Sequence, residues 1–395
     1  MINKYPQVIL NPGKDQSLRR FHPWVFSGAI KRIEGKVEEG DVVEVFSNKM
    51  EYLATGHCQS GTIAVRIFSF EQVQPGIELW KNKILKAYNC RKQIGLIDNP
   101  DTNVFRLMFG EGDGMPALII DFYNGTAVLQ TYSVGMHLIK NDIVTALLEI
   151  FGNKLHAIYD KSGETMPQKT GIKVENTYLF GKPGTFEVKE YGNKFLVDWE
   201  SGQKTGFFID QRENRKLLAQ YAKDKNVLNT FCYTGGFSVY ALNAGAKLVH
   251  SVDSSQKAME MTDKNIELNK QTSNHQSFTA DVFDYVKNID DQYDIIVLDP
   301  PAFAKSRNVS HNAVQGYKRI NAEAIRKIKK GGLLFTFSCS QVINRVLFYN
   351  TVIAAAIEAG RNARVVHHLS QPPDHPVNIF HPEGEYLKGL VLYIE

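Results

Sequence analysis

Apolar and polar positions change their rhythm twice along the chain. Residues 1–72 read as short β segments broken by turn chemistry: Val8–Leu10 before Asn11-Pro12-Gly13, Val42–Phe46 before Ser47-Asn48, then Thr62–Ser69. Pro75-Gly76 introduces a helical period, with Ile77, Trp80, Ile84, Ala87 and Tyr88 on one face and Lys81, Lys83 and Lys86 off it. Alternating runs at Phe105–Phe109, Ala117–Tyr123 and Thr126–Tyr132 follow. The last two are joined by Asn124-Gly125, which suits a tight hairpin. A helix over about 136–151 and strands near 155–159 and 177–180 complete a central α+β block. From about residue 195, strand-like and helical stretches alternate, the pattern of a parallel, doubly wound sheet. The predicted strands are 226–232, 248–253, 277–281, 294–299, 333–339, 363–369 and 387–394. No helix of useful length separates the last two, so the seventh strand is expected to run antiparallel. Three domains are expected, at 1–72, 73–194 and 195–395.

Composition narrows the classes. With 43% hydrophobic, 22% charged and 11% aromatic residues over 395 positions, the chain fits a packed globular protein and no disordered or fibrous class. No apolar run approaches the roughly 18 residues of a membrane span, and the opening lacks a signal-peptide pattern, so a cytoplasmic location is expected. Cysteines at 58, 90, 232 and 339 match neither a disulfide framework nor zinc spacing, so a functional cysteine here would act as a thiol, and no metal site is read. Gly110-Glu-Gly-Asp-Gly114 imitates a phosphate loop but precedes no helix, and reads as a plain turn. The net charge of +4 hides two basic islands: +5 over residues 1–36, including Arg19 and Arg20, and +7 over 305–330, including Lys305 and Lys318. The rest sums to −8, so a polyanion touched in two places is one reading and solvated helix faces the other.

Ligands of open α/β sheets bind beyond the carboxyl ends of strands, near the switch point. The first predicted strand ends in Tyr233-Thr234-Gly235-Gly236, a glycine turn entering a helix. Eighteen residues past Gly235, the second ends at Asp253, placed for a ribose diol; the third ends at Asp281 and the fourth in Asp299-Pro-Pro-Ala-Phe303. Glycine turn and Asp253 alone indicate a nucleoside-containing cofactor. A rigid acidic Asp-Pro-Pro loop shifts the reading to S-adenosylmethionine (SAM) and transfer of its methyl group to a base. Each acid could instead merely cap a helix. The fifth strand ends at Cys339. Cytosine C5 is a poor nucleophile until a thiolate adds at C6, chemistry that needs a thiol of lowered pKa and a group such as Asp299 at N3.

The run Gln203-Lys-Thr-Gly-Phe-Phe-Ile-Asp-Gln-Arg-Glu-Asn214, the Tyr233–Phe237 loop, Asp299-Pro-Pro-Ala-Phe303, Gly316-Tyr-Lys318, Phe337-Ser-Cys-Ser340 and the tail Asp374-His-Pro, Pro382-Glu-Gly and Tyr386-Leu-Lys-Gly389 resemble the ribosomal RNA large subunit methyltransferase I family. His22-Pro-Trp-Val-Phe-Ser-Gly28 resembles that family's RNA-binding PUA domain. The resemblance covers essentially the whole chain. It implies a small all-β PUA barrel, a central α+β domain and a class I, Rossmann-like SAM-methyltransferase domain with a seven-stranded sheet, acting on C5 of a cytosine in 23S rRNA. It also implies SAM contacts at Tyr233, Thr234, Gly235, Gly236, Asp253 and Asp281, with Asp299 beside methyl donor and base and Cys339 as nucleophile. Asp210 and Arg212 would close over the methionine end, or serve as a cap and an ion pair. Phe303 would stack on a flipped base or pack its own loop; His375 would line the substrate side or be structural. Methylation of a purine nitrogen, which needs no thiol, and a non-catalytic RNA-binding assembly factor are the competing readings. A homodimer is left open.

Overall fold

The computed structural model describes residues 5–167, 171–303 and 310–395. The chain forms two compact units. One comprises Met1–Phe186, Val197–Phe207 and Pro373–Gly384, the other Glu187–Leu196, Phe208–Pro372 and Glu385–Glu395. Among the described residues, no helix is long and apolar enough to cross a membrane.

The first unit opens with β1 (Gln7–Leu10), α1 (Gln16–Arg19), β2 (Trp24–Phe26), β3 (Ile30–Glu34), β4 (Val42–Phe46), β5 (Tyr52–Cys58) and β6 (Ile63–Ser69). These strands make a six-stranded sheet of order β2-β6-β5-β4-β1-β3, antiparallel except for the β1–β4 pair. Val8, Leu10, Val43, Val45, Val65 and Ile67 fill its interior. The sequence pattern missed β2, β3 and β5. Their side chains do not alternate cleanly: β3 is exposed along nearly its whole length, and β2 has three residues.

The same unit continues through α2 (Ile77–Gln93), β7 (Val104–Phe109), β8 (Leu118–Tyr123), β9 (Thr126–Thr131), α3 (Val134–Leu138), α4 (Lys140–Phe151), β10 (Ala157–Asp160) and β11 (Thr177–Gly181). A five-stranded sheet of order β11-β10-β9-β8-β7 results. Its β8–β9 hairpin turns at Asn124 (φ 44°) and Gly125 (φ 92°), the left-handed pair that the Asn-Gly dipeptide predicts. The predicted helix over 136–151 is two helices, because Ser133 caps a first turn by accepting from Met136 N and the chain breaks at Ile139. Residues 110–114 form a turn, as expected, and Asp113 within it pairs with Arg91.

The second unit begins with the hairpin β12 (Glu187–Glu190) and β13 (Asn193–Leu196). It runs on through α5 (Arg212–Ala222), β14 (Asn226–Thr230), α6 (Gly236–Asn243), β15 (Leu248–Asp253), α7 (Gln256–Leu268), β16 (His275–Thr279) and α8 (Val282–Asn288). The rest is β17 (Ile295–Leu298), α9 (Ser310–Lys327), β18 (Gly332–Ser338), α10 (Arg345–Ala359), β19 (Ala363–Ser370) and β20 (Lys388–Ile394). The sheet order is β16-β15-β14-β17-β18-β20-β19. β20 inserts antiparallel between β18 and β19, the outcome expected from the missing helix before it. Ile295–Leu298 is buried on both faces, the mark of a central parallel strand. Helix α8 was not legible in the sequence; seven residues give too short a period, and Asp281 starts it as N-cap. Strand order reverses at β14, whose neighbours are β15 and β17. Their carboxyl ends therefore define the crevice.

Candidate active site

The loop leaving β14 is strained and tightly held. Phe231 (φ 52°) and Tyr233 (φ 48°) adopt the left-handed conformation that side chains disfavour, followed by Gly235 at φ 77°. Hydrogen bonds fix it: Gly235 N donates to Cys232 O (2.8 Å), Thr262 Oγ1 to Tyr233 O (2.9 Å) and Asn265 Nδ2 to Thr234 O (2.9 Å). A Cβ on Gly235 would lie 2.7 Å from Thr262 Cγ2, so the position admits glycine alone; one on Gly236 would lie 3.1 Å from Arg215 Cδ. Asp253 ends β15 and accepts from Tyr233 N and Ser255 N, each at 3.0 Å. A carboxylate has about four acceptor sites, so it can still receive hydroxyl groups. Asp281 is exposed and accepts from Asp284 N (3.1 Å) as the cap of α8. Cys232 is buried, with its thiol pushed up by desolvation, as suits a side chain that fills space. Asn229 lies inside β14 and donates to Ser238 Oγ (2.8 Å).

Acidic groups and a thiol occupy the next strand ends. Asp299 follows β17, and Gln211 Nε2 donates to its Oδ1 (3.0 Å) while Asn214 Nδ2 donates to Gln211 Oε1 (2.6 Å). Burial of its carboxyl, then the charge of Asp210, pushes Asp299 up to about 7. Asp210 Oδ2 accepts from Tyr386 OH (2.7 Å), whereas its buried Oδ1 has no hydrogen-bond partner. Cys339 follows β18 and is half-buried. Desolvation, then Asp299 and Asp210, push its thiol up to about 12. A thiol of lowered pKa was expected, and burial with two nearby carboxylates raises it instead. Lys388, the cation that opposes them, donates to Ser340 O (2.7 Å) and Ile343 O (2.6 Å), and burial lowers it to about 8.

Sequence reasoning missed the supports of this site. Gln211 and Asn214 lie three apart on the first turn of a helix, a spacing that could have linked them. Arg215 forks onto Glu190 (Nε–Oε1 2.8 Å, Nη2–Oε2 2.9 Å) and donates to Phe208 O (2.9 Å), joining the hairpin to the entry of α5; no local pattern announces a pair 25 residues apart. Arg212 starts α5, buried, 3.3 Å from Glu213.

The residues expected to meet RNA are dispersed. Phe303 packs 4.7 Å from the Tyr317 ring and 6.0 Å from Phe283. Lys318 pairs with Glu358 (2.7 Å), and Arg326 pairs with Glu323 and Glu358, so the second island is partly neutralised. Lys305 and Arg307 lie outside the described residues, as does Lys4. In the first unit, Arg19 pairs with Asp15 (2.7 Å) and Glu51, and Arg20 is exposed. His375 belongs to that unit's interior at 2% exposure, against Asp374 (3.1 Å) and the Phe109 ring.

A parallel sheet with one inserted antiparallel strand, a glycine turn and acids at successive strand ends define a class I methyltransferase. Family models agree: residues 8–70 match a PUA-like domain and residues 172–389 an S-adenosylmethionine-dependent methyltransferase. SAM is thus the cofactor. A ribosomal RNA large subunit methyltransferase I from Alteromonas mediterranea is 40% identical, with 98% of each chain covered, and one from Aeromonas hydrophila is likewise 40% identical over 98% of each. The chain belongs to the ribosomal RNA large subunit methyltransferase I family. A solved Streptococcus mutans protein described as a SAM-dependent methyltransferase shares the fold, with a TM-score of 0.83 at 23% identity over 98% of this chain and 99% of that one. So does a methyltransferase solved with SAH, with a TM-score of 0.84 at 23% identity over the same shares.

Proposed function

We propose that this protein transfers a methyl group from SAM to C5 of a cytosine in 23S rRNA through a covalent bond between Cys339 Sγ and C6. The observation that carries this reading is the Cys339 thiol and the Asp299 carboxyl at the ends of adjacent strands, the carboxyl pushed up to about 7 by burial and then Asp210, the thiol pushed up by burial and then Asp299 and Asp210. The residues suit the cofactor: Asp253 keeps acceptor capacity for the ribose hydroxyls, and the orphaned Asp210 Oδ1 is an acceptor for an ammonium group. Tyr233–Gly236 and Asp281 would complete that side, with Arg212 fixing the entry of α5.

Because the Cys339 thiol is protonated at neutral pH, its proton must be taken as sulfur adds to C6. Asp299, about half ionised near pH 7, is suited to accept that proton and pass it to N3 of the base. C5 of the resulting enamine takes the electrophilic methyl group that SAM supplies. Loss of the C5 proton to a base re-forms the C5=C6 bond and expels Sγ as thiolate, and the proton on N3 returns through Asp299 to restore the thiol. Gln211, anchored by Asn214, holds Asp299 in place for both transfers.

On this reading the three domains divide the work, with 1–72 holding RNA through Arg19 and Arg20, 73–194 as a central support, and 195–395 performing chemistry. Phe303 and Lys318 would flank the reacting base and His375 would act only through packing. The enzyme would work in the cytoplasm. Mapping 5-methylcytosine in 23S rRNA from cells with and without the gene tests it: one site should lose its mark, and loss of none overturns the proposal. The high thiol pKa favours a second reading, methylation of a purine nitrogen beside Asp299-Pro-Pro, under which Cys339→Ala would keep substantial activity.

A further inference from the structure

Two histidines and a glutamate that serve neither the crevice nor its supports converge in the first unit. His22 lies between α1 and β2; His381 and Glu383 come from the Pro373–Gly384 segment of that unit. Among the described residues, these three bring one ligand atom each within 4.8 Å of one another. His22 Nε2 is 3.5 Å from Glu383 Oε1, and His381 Nε2 is 3.8 Å from Glu383 Oε2. Tetrahedral coordination at 2.0–2.1 Å places ligand atoms about 3.4 Å apart, so each histidine already lies near ligand spacing from one carboxylate oxygen, and side-chain adjustment closes the set from within 4.8 Å.

The hydrogen bonding of His381 is the independent sign. Its side chain is buried at 3% exposure, and neither ring nitrogen has a hydrogen-bond partner. A buried imidazole with an unused lone pair is costly. Trp24 packs edge-on against the ring at 4.4 Å between centroids, restricting its rotation. The nearby Arg66 cation is offset by Glu111, which accepts from both Arg66 Nη1 (3.1 Å) and Trp24 Nε1 (2.8 Å). Glu383, half-exposed, supplies the negative charge and leaves the remaining coordination positions open to water. Ligation through His22 Nε2 puts that ring's proton on Nδ1 and gives up the 3.3 Å bond from Trp24 N, which is beyond the usual range for N–H donors.

We propose that His22, His381 and Glu383 bind one first-row divalent cation, with Zn²⁺ favoured over Mg²⁺ or Ca²⁺ by the two imidazole donors. The ion would pin residues 381–383 to the His22–Trp24 strand entry, so its role is structural and does not depend on the methylation reading. Tag-free, chelator-treated protein titrated calorimetrically with Zn²⁺, Co²⁺ and Mg²⁺ tests it. One equivalent of Zn²⁺ should bind, Mg²⁺ should not, and bound Co²⁺ should show visible bands of a low-coordinate site. His381→Gln should lower Zn²⁺ affinity at least about 100-fold and Glu383→Gln about tenfold, following the cost of losing a ligand. Zn²⁺ should raise the melting temperature by a few degrees in the unaltered protein only. Glu383 is half-exposed, so its variant folds and keeps the test valid if the His381 variant does not. Absence of saturable Zn²⁺ binding, or binding unchanged in Glu383→Gln, overturns the proposal.

Discussion

Carboxylates are buried in both units, and they are treated differently. In the first unit, Arg91 is fully buried and donates to both oxygens of Asp113, to Arg106 O and to Asp374 O, while Arg106 forks onto Asp121 at 2.8 Å through each nitrogen. Asp374 accepts from Arg106 N (2.9 Å) with one oxygen and meets His375 Nδ1 with the other. In the crevice of the second unit, no arginine forks onto Asp299 or Asp210 among the described residues; an amide and a phenol hold one oxygen of each, and Asp210 Oδ1 is left over. Buried charge that is satisfied on every side supports a fold. Charge left partly unsatisfied is available for chemistry, and at Asp299 it comes with a carboxyl raised by burial and by Asp210.

That contrast can be broken most sharply at Cys339. Cys339→Ser should cut methyl transfer at least about 1,000-fold while leaving SAM affinity within about threefold, measured by product formation and calorimetry. Asp113→Ala, in the satisfied network, should do the reverse: stability falls by about 3 kcal/mol as Arg91 loses its partner, and turnover per folded molecule is unchanged. Denaturant unfolding read alongside activity would check it. Asp299→Asn should slow turnover about 100-fold. The same change should stabilise the fold at alkaline pH. A carboxyl raised from 3.8 to about 7 favours the native state while protonated, and that advantage is lost as pH rises to 7. The variant's gain should therefore be larger at pH 8 than at pH 5, by about 1 to 2 kcal/mol after allowing for the side chain's partial exposure. Reversing Arg19 and Arg20 to glutamate should weaken RNA binding about tenfold and flatten its salt dependence, with no change in SAM affinity. Loss of SAM binding there would contradict the division of tasks.

The seven-stranded sheet of the second unit was legible because its strands are short apolar runs with acids at their ends, whereas the β12–β13 hairpin was missed. Leu248–Asp253 was read to the residue, and a missing helix told the direction of β20. The first unit was less so, since mixed pairing and exposed strands blur the alternation. Within the site, the motif residues were visible but their partners were not. Gln211 and Tyr386 reach Asp299 and Asp210 across 88 and 176 residues, distances at which spacing carries no signal. The sequence likewise left His375 between lining the substrate side and a structural role, and its packing against Phe109 was not visible there. Nor could sequence show that carboxylates outweigh the cation around Cys339, because that balance depends on burial.

The covalent role of Cys339 is the central claim, and a trapped adduct tests it most directly. RNA carrying 5-fluorocytidine at the target accepts the thiol and the methyl group but has no C5 proton to lose, so the bond to Cys339 persists. Incubation with SAM should give a protein–RNA species that survives denaturation, with the cross-link mapping to Cys339 and absent from Cys339→Ala. Methylated product from ordinary RNA, with no adduct on the fluorinated one, would contradict the account.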